Sequence, residues 1–209
     1  MDEDALRRLI VELAASLFAR GFSVGSAGNI SVRLADGFLI TPTNSCLGRL
    51  DPARLARLDA GFRQIGGDAP SKEVFMHRAF YTARPEAGAV VHLHSTMATA
   101  LACLPGESDS PIPPLTPYFV MRIGRRLPLI PYFRPGDPAM EPEIHAAAGA
   151  ARAVLLANHG PVVCGKTLTD AVYAAEELEE AAKLALLLRA AKPRQLTPRQ
   201  IDDLLASYG

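Results

Sequence analysis

Apolar positions along the chain follow two periods, and the switches between them mark out the elements. Leu6, Leu9, Ile10, Leu13 and Leu17 recur at helical spacing, and Gly21 follows as a stop. The stretch "NISVRLADGFLIT" changes to strand character and predicts two short strands about a turn at Asp36-Gly37. Ser71 is placed to cap a helix running through "KEVFMHRAFYTA", with Pro85 beyond its end. "AGAVVHLH" reads as a strand and the run after it as a helix; "RLPLIPY" offers a further strand. "ARAVLLANHG" predicts a strand ending at Gly160, with "PVVCGK" after it. Thr167 to Arg189, rich in Ala, Leu and Glu, predicts a long helix, and Thr197-Pro198 opens a short last one.

No internal repeat interrupts this alternation. The proline-rich stretch from Pro105 to Pro117 and "AKPRQLTP" near the end are the natural linkers, and neither separates domain-sized pieces. Residues 1–209 therefore read as one layered α/β domain with a mostly antiparallel or mixed sheet.

Composition narrows the class. Of the 209 residues, 49% are hydrophobic, enough for a substantial core and against disorder. The 22 basic and 22 acidic residues cancel and form no basic block, which argues against a nucleic-acid partner. Cys46, Cys103 and Cys164 are scattered, lack a CxxC spacing and read as small buried residues in a reducing compartment. The acidic start "MDED" is wrong for a signal peptide, and no apolar run reaches the ~18 residues of a membrane span. The expectation is a soluble, cytoplasmic protein with no membrane partner.

The chemistry concentrates in three histidines. His92 and His94, two apart in a strand, project to one face. His159 closes another apolar strand in "LANHG". Three imidazoles suit zinc and leave an open coordination position; the pair alone could equally be hydrogen-bonded polar residues. A second theme is anion binding. "GSAGNIS", "TPTNS" and "PSKE" combine small residues, hydroxyls and a helix start, the last with Ser71 and Lys72. Taken singly they are ordinary turns; together they suggest a phosphate pocket. Glu73, in the first helical turn, becomes a base beside such a metal and phosphate.

In this order the motifs "GSAGNIS", "TPT", "SKE", "VVHLHS" and "ANHGPVVCG" resemble the class II aldolase/adducin family over nearly the whole chain. The resemblance implies a central, largely antiparallel sheet flanked by helices, assembled as a homo-oligomer, often a tetramer, with sites near subunit interfaces. It implies Zn2+ (or another divalent metal such as Mn2+ or Co2+) on His92, His94 and His159. Glu73 matches the carboxylate that can ligate the resting metal and acts as acid/base. Ser26, Gly28, Asn29, Thr43, Asn44, Ser71 and Lys72 fall on the phosphate-binding motifs.

"SKEV", "PLTPYFVMRIG" and "LPLIPYFRPGD" draw the chain towards the branch that decarboxylates a 3-oxo-tetronate 4-phosphate to dihydroxyacetone phosphate. The substrate expected is thus a small phosphorylated sugar acid. Lys72 replaces a second serine usual in fuculose-phosphate aldolases, which remain the alternative. The departing fragment needs its own group. Tyr118 is the candidate catalytic residue there, and Arg122 the candidate partner for a substrate carboxylate. Each has a plain reading too, aromatic packing for Tyr118 and a surface charge or ion pair for Arg122. Tyr132 and Arg134 lie in a Pro-Gly turn. His77, one helical turn after Glu73, is a packed histidine or a support for the site; His145 is surface or packing. Glu176, Glu177, Glu179 and Glu180 read as a solvated helix face. An adducin-like binding protein is the contrasting class, and its expected missing ligands are not missing here.

Overall fold

The computed structural model describes residues 2–105 and 110–208. One eight-stranded sheet runs through the molecule in the order β4-β3-β2-β1-β5-β8-β7-β6. Its strands are β1 (Asn29–Leu34), β2 (Gly37–Ile40), β3 (Ala56–Asp59), β4 (Gln64–Gly66), β5 (Ala89–His92), β6 (Leu129–Ile130), β7 (Ala153–Leu156) and β8 (Gly160–Gly165). Every pairing is antiparallel except that of β6 with β7. The family-like expectation of a largely antiparallel sheet flanked by helices holds. β3 and β4 carry no strong apolar alternation and are additions to the sequence reading. "RLPLIPY" yields only the two-residue β6, because prolines on both sides remove ladder donors.

Helices cover both faces. α1 (Glu3–Ala19), α3 (Thr96–Ala102), α4 (Pro117–Arg122), α6 (Leu168–Leu187) and α7 (Pro198–Tyr208) pack on one; α2 (Val74–Ala83) and α5 (Glu141–Ala148) pack on the other. Burial on both faces explains why "AVLL" is apolar throughout and "AVVH" is apolar up to its closing histidine. On the first face lie Ile30, Val32, Val91, Leu155 and Val163; on the second lie Ile40, Val90, Leu156 and Val162 against Met76 and Phe80.

Local chemistry sets the ends. Asp2 caps α1 by accepting from the Ala5 N–H at 2.7 Å. Thr197 and Gln200 bond each other's backbone N–H groups at the start of α7, a reciprocal cap. Three expectations change. Ser71 does not cap α2: its hydroxyl accepts from the Glu73 N–H two residues on, a local turn, and Glu73 itself takes the cap position. His159 does not end a strand: β7 stops at Leu156, and Ala157–Asn158–His159 form the turn of the β7–β8 hairpin, with Asn158 at φ 58°. Of the four glutamates of α6 only Glu180 is exposed, so they are not one solvated face. Glu179 accepts from the Met97 and Ala98 N–H groups at 2.8 and 2.9 Å, capping α3, and Glu176 pairs with Arg20. Of the cysteines, all free, only Cys164 is buried; Cys103 is exposed.

Candidate metal centre and active site

β1, β5 and β8 lie side by side, with Asn29 opposite His92 and His92 opposite Val162. The C-terminal end of β5 and the N-terminal ends of β1 and β8 therefore share one edge of the sheet. His92 is the last residue of β5 and is fully buried. The chain leaves the sheet there, and His94 sits half-buried just past the strand end. His159 comes from the β7–β8 turn. Gly160 makes this approach possible: a Cβ there would stand 2.3 Å from the Leu93 carbonyl oxygen, so any other residue would push the turn away from His94.

The result is a tight cluster. His94 Nε2 lies 3.1 Å from His92 Nε2 and 3.1 Å from His159 Nε2. The His92 Nδ1–H donates to the Pro161 carbonyl at 2.9 Å, which leaves its Nε2 as a bare lone pair. Bridging both contacts with protons would require His94 Nε2 to accept and donate at once, which a ring nitrogen does not do. Protonating the rings is also resisted. Burial, then the neighbouring His159 and His94, holds His92 well below the usual imidazole range. Burial, with His159 beside it, lowers His94 to about 4. Burial lowers His159, whose buried Nδ1 has no partner among the described residues. Three neutral lone pairs aimed at one point fit a divalent cation.

Glu73 closes the cluster from α2. Its Oε1 lies 3.4 Å from His159 Nε2 and its Oε2 lies 3.6 Å from His92 Nε2. Three nitrogens and a carboxylate are a donor set for zinc or a neighbouring divalent metal.

The anion-binding segments gather at the same edge. The Thr41 N–H donates to the Ile30 carbonyl, the Thr43 N–H to Ala69 and the Ser71 N–H to Thr41, so the loops around 41–45 and 69–72 lie together beside the start of β1. Ser26, Asn44 and Lys72 are exposed there, and Thr43 is half-buried. Gly28, at φ 81°, immediately precedes β1 and lies against the His92 carbonyl, where a Cβ would stand 3.0 Å away. Asn29, expected among the phosphate-binding residues, has its side chain turned towards Glu73. Its amide nitrogen donates to Glu73 Oε2 at 2.8 Å and its oxygen meets His77 Nε2, so both ends are committed to the carboxylate's support. Sequence reading missed this, along with Ser31 and Tyr81 behind it; the alternation of 29 with 31 and the fourfold spacing of 73, 77 and 81 were the available signals.

Tyr118 and Arg122 are not brought to the centre within one chain. Arg122 faces a cavity of about 300 Å3 with Arg152, Gly165, Lys166 and Asp170, at the far end of β8 from His159. Six residues of strand make that separation about 20 Å. Arg122 pairs with Asp170 at 3.5 Å, and Tyr118 is 62% exposed, one turn away on α4. A further depression, of about 340 Å3, is apolar, lined by residues such as Leu101, Leu104, Pro113 and Leu188, and includes none of the histidines. No helix among the described residues is long and apolar enough to cross a membrane.

Comparison with known proteins places nearly the whole chain. The family described as Class II Aldolase and Adducin N-terminal domain matches residues 8–186. A curated 3-oxo-tetronate 4-phosphate decarboxylase of Escherichia coli K12 is 50% identical over 97% of this chain and 96% of its own. An L-fuculose phosphate aldolase of the same organism is 33% identical over 89% and 85%. Among solved structures, YgbL of Escherichia coli, named as a candidate aldolase/epimerase/decarboxylase, superposes with a TM-score of 0.93 at 49% identity, covering 97% of this chain and 98% of that one.

Proposed function

The chain belongs to the class II aldolase and adducin family, and from that premise we propose that it is a metal-dependent carbon–carbon lyase that decarboxylates 3-oxo-tetronate 4-phosphate to dihydroxyacetone phosphate. The observation that carries the choice of reaction is the likeness, at about half identity over nearly the full chain, to decarboxylases of that name. The likeness to fuculose-phosphate aldolases is weaker, at about a third. The substrate class is a small phosphorylated sugar acid.

His92, His94 and His159 would hold the metal, zinc by the donor set, with Mn2+ or Co2+ as substitutes. When bound, the ion supplies Lewis-acid stabilisation of the oxygen charge that carbon dioxide loss leaves on the substrate. The rest is the work of side chains. Cleavage breaks the bond between the carboxylate carbon and C2; its electron pair moves into the adjacent carbonyl and leaves an enediolate. Glu73 holds the proton that C2 then takes up, giving the hydroxymethyl group of dihydroxyacetone phosphate. Asn29 holds one carboxylate oxygen of Glu73, Oε2, so Oε1 is the oxygen left to carry that proton. The segments around Gly28, Thr43–Asn44 and Ser71–Lys72, with Ser26, cradle the phosphate and fix the reacting carbon by remote binding.

The reading includes a cytoplasmic homo-oligomer, a tetramer, in which Tyr118 and Arg122 act at a neighbouring copy's centre. The exposure of Tyr118 and the distance of both from the histidines of their own chain support that assignment.

The test is product analysis. Purified protein given 3-oxo-tetronate 4-phosphate should release one carbon dioxide per dihydroxyacetone phosphate, and fuculose 1-phosphate should be cleaved far more slowly. Aldehyde release from ketose phosphates at a higher kcat/KM than carbon dioxide release would replace the decarboxylase by an aldolase.

A further inference from the structure

Behind Glu73, a row of polar side chains runs into the core between β1 and α2. Asn29 and Ser31 alternate along the strand and share a face. Glu73, His77 and Tyr81 recur every four residues along the helix and share a face. Two strand residues advance ~6.7 Å and four helical residues ~6 Å, so the two rows stay in step and interlock. The contacts zigzag: Glu73 Oε2 to Asn29 Nδ2 at 2.8 Å, Asn29 Oδ1 to His77 Nε2 at 2.5 Å, His77 Nδ1 to Ser31 Oγ at 2.7 Å, and Ser31 Oγ to the Tyr81 hydroxyl at 2.8 Å. Asn29, Ser31, His77 and Tyr81 are all at least nine-tenths buried.

The chemistry of the groups gives this chain one direction. A carboxylate only accepts, so the Asn29 end facing Glu73 is its NH2. The Asn29 oxygen then faces His77 and can only accept, so the proton of His77 is on Nε2. The Nδ1 of a neutral imidazole accepts, so the Ser31 hydroxyl donates to it and in turn accepts from Tyr81. Burial keeps both ring ends in the required state: it lowers His77 to about 3 and raises Tyr81 above the usual phenol range. At its outer end the row meets Glu73. A fully apolar filling would pack the same space without the cost of burying four polar side chains.

We propose that His77 is a positioning residue for Glu73: through Asn29 it locks Oε2, fixes the carboxyl plane and leaves Oε1 facing the reacting carbon. This rests on the reading of Glu73 as the acid/base. It makes His77 part of the site's support, one helical turn and one amide away from the chemistry.

Two substitutions separate positioning from packing. In His77→Gln the terminal amide nitrogen stands where Nε2 was and can still donate to Asn29; in His77→Asn it does not reach. Supports of this kind are worth about 10–100-fold. His77→Asn should lose kcat by that factor, with KM and metal content within about threefold of wild type. His77→Gln should recover most of it. In a Glu73→Gln background, His77→Asn should cost nothing further. Equal losses in the Asn and Gln variants, or the same loss with and without Glu73, would overturn the proposal. A readout independent of turnover is the imidazole 15N spectrum of the metal-free wild type. It should show His77 neutral with its proton on Nε2 at pH 7; a proton on Nδ1 would break the chain whatever the enzyme's substrate. Failure of the decarboxylase reading would show instead as no carbon dioxide from wild type.

Discussion

At one end of the sheet, His92, His94 and His159 arrive from β5, the segment beyond it and the β7–β8 turn, with each Nε2–Nε2 contact to His94 at 3.1 Å. At the other end, Arg122, Arg152 and Lys166 surround a cavity of about 300 Å3. Two of those cations have ordinary local partners. Arg122 meets Asp170 at 3.5 Å, and Arg152 donates to the Met121 carbonyl at 3.1 Å. His92 has one at Nδ1, on the Pro161 carbonyl, but the three Nε2 atoms face one another and the Glu73 carboxylate. Exposed charges that neutralise in pairs contribute little and demand nothing. Buried lone pairs held in opposition demand a cation. The difference sets the two ends apart: at the first, side chains from separate elements converge with their needs unmet.

Removing one ligand tests the first end most severely. His94→Ala should lose the metal and, with it, activity by at least about 10³-fold, while its circular dichroism stays that of wild type. Metal analysis of the purified variant decides this; stoichiometric metal at unchanged affinity would erase the contrast between the two ends.

A smaller loss should follow Glu73→Gln. Three imidazoles remain, so metal content should hold, and turnover should drop by about 10²–10⁴ for loss of one general acid. Wild type incubated with dihydroxyacetone phosphate in heavy water should exchange one hydrogen of the hydroxymethyl carbon, by reversal of the last protonation. The variant should not, and undiminished exchange would remove Glu73 from that role.

The far end is addressed by mixing. Arg122→Ala should lower kcat/KM by about 10–100-fold if its guanidinium pairs with a substrate carboxylate. Unfolding and refolding it together with His94→Ala should restore part of the activity, because some centres then combine intact histidines with an intact neighbouring Arg122. If the mixture regains nothing and Arg122→Ala alone is fully active, the far end is only a surface.

The mildest effect is on stability against pH. Above pH 6.5 the His94 ring is neutral in both folded and unfolded chains and contributes no pH dependence. Below it the unfolded chain takes up a proton that folded, metal-free protein refuses until about 4, so the unfolded state gains and stability falls across that window. His94→Ala should therefore lose less melting temperature than wild type between pH 6.5 and 4, both metal-free. Parallel curves would mean that burial does not hold His94 neutral.

Much of the site was legible along the chain because its residues sit at motif spacings. His92 and His94 are two apart on an apolar strand, and His159 precedes a glycine whose missing Cβ permits the close turn. What the spacing could not show is orientation. Asn29 lies within a glycine-rich stretch that reads as an anion cradle, yet its side chain turns inward to Glu73 and His77. Glu179 lies among four acids that read as solvent-facing, yet it caps α3 from a position 81 to 82 residues further along the chain, accepting at 2.8 and 2.9 Å. Tyr118 and Arg122 follow the histidines closely in sequence and are carried to the opposite end of the sheet, because α4 packs against α6 and α7.

The sequence by itself determined the alternation of helix and strand, the apolar character of the central strands and the three histidines that could hold a metal. These depend on side-chain period and ligand chemistry, which are local properties. Only the tertiary structure decided that the three histidines and Glu73 meet at one edge, that Asn29 serves the carboxylate, and that the Ser31–His77–Tyr81 row stands behind it. Those outcomes depend on the register of β1 against β5 and on the angle at which α2 crosses them. Both are set by packing between distant segments, which no local period encodes.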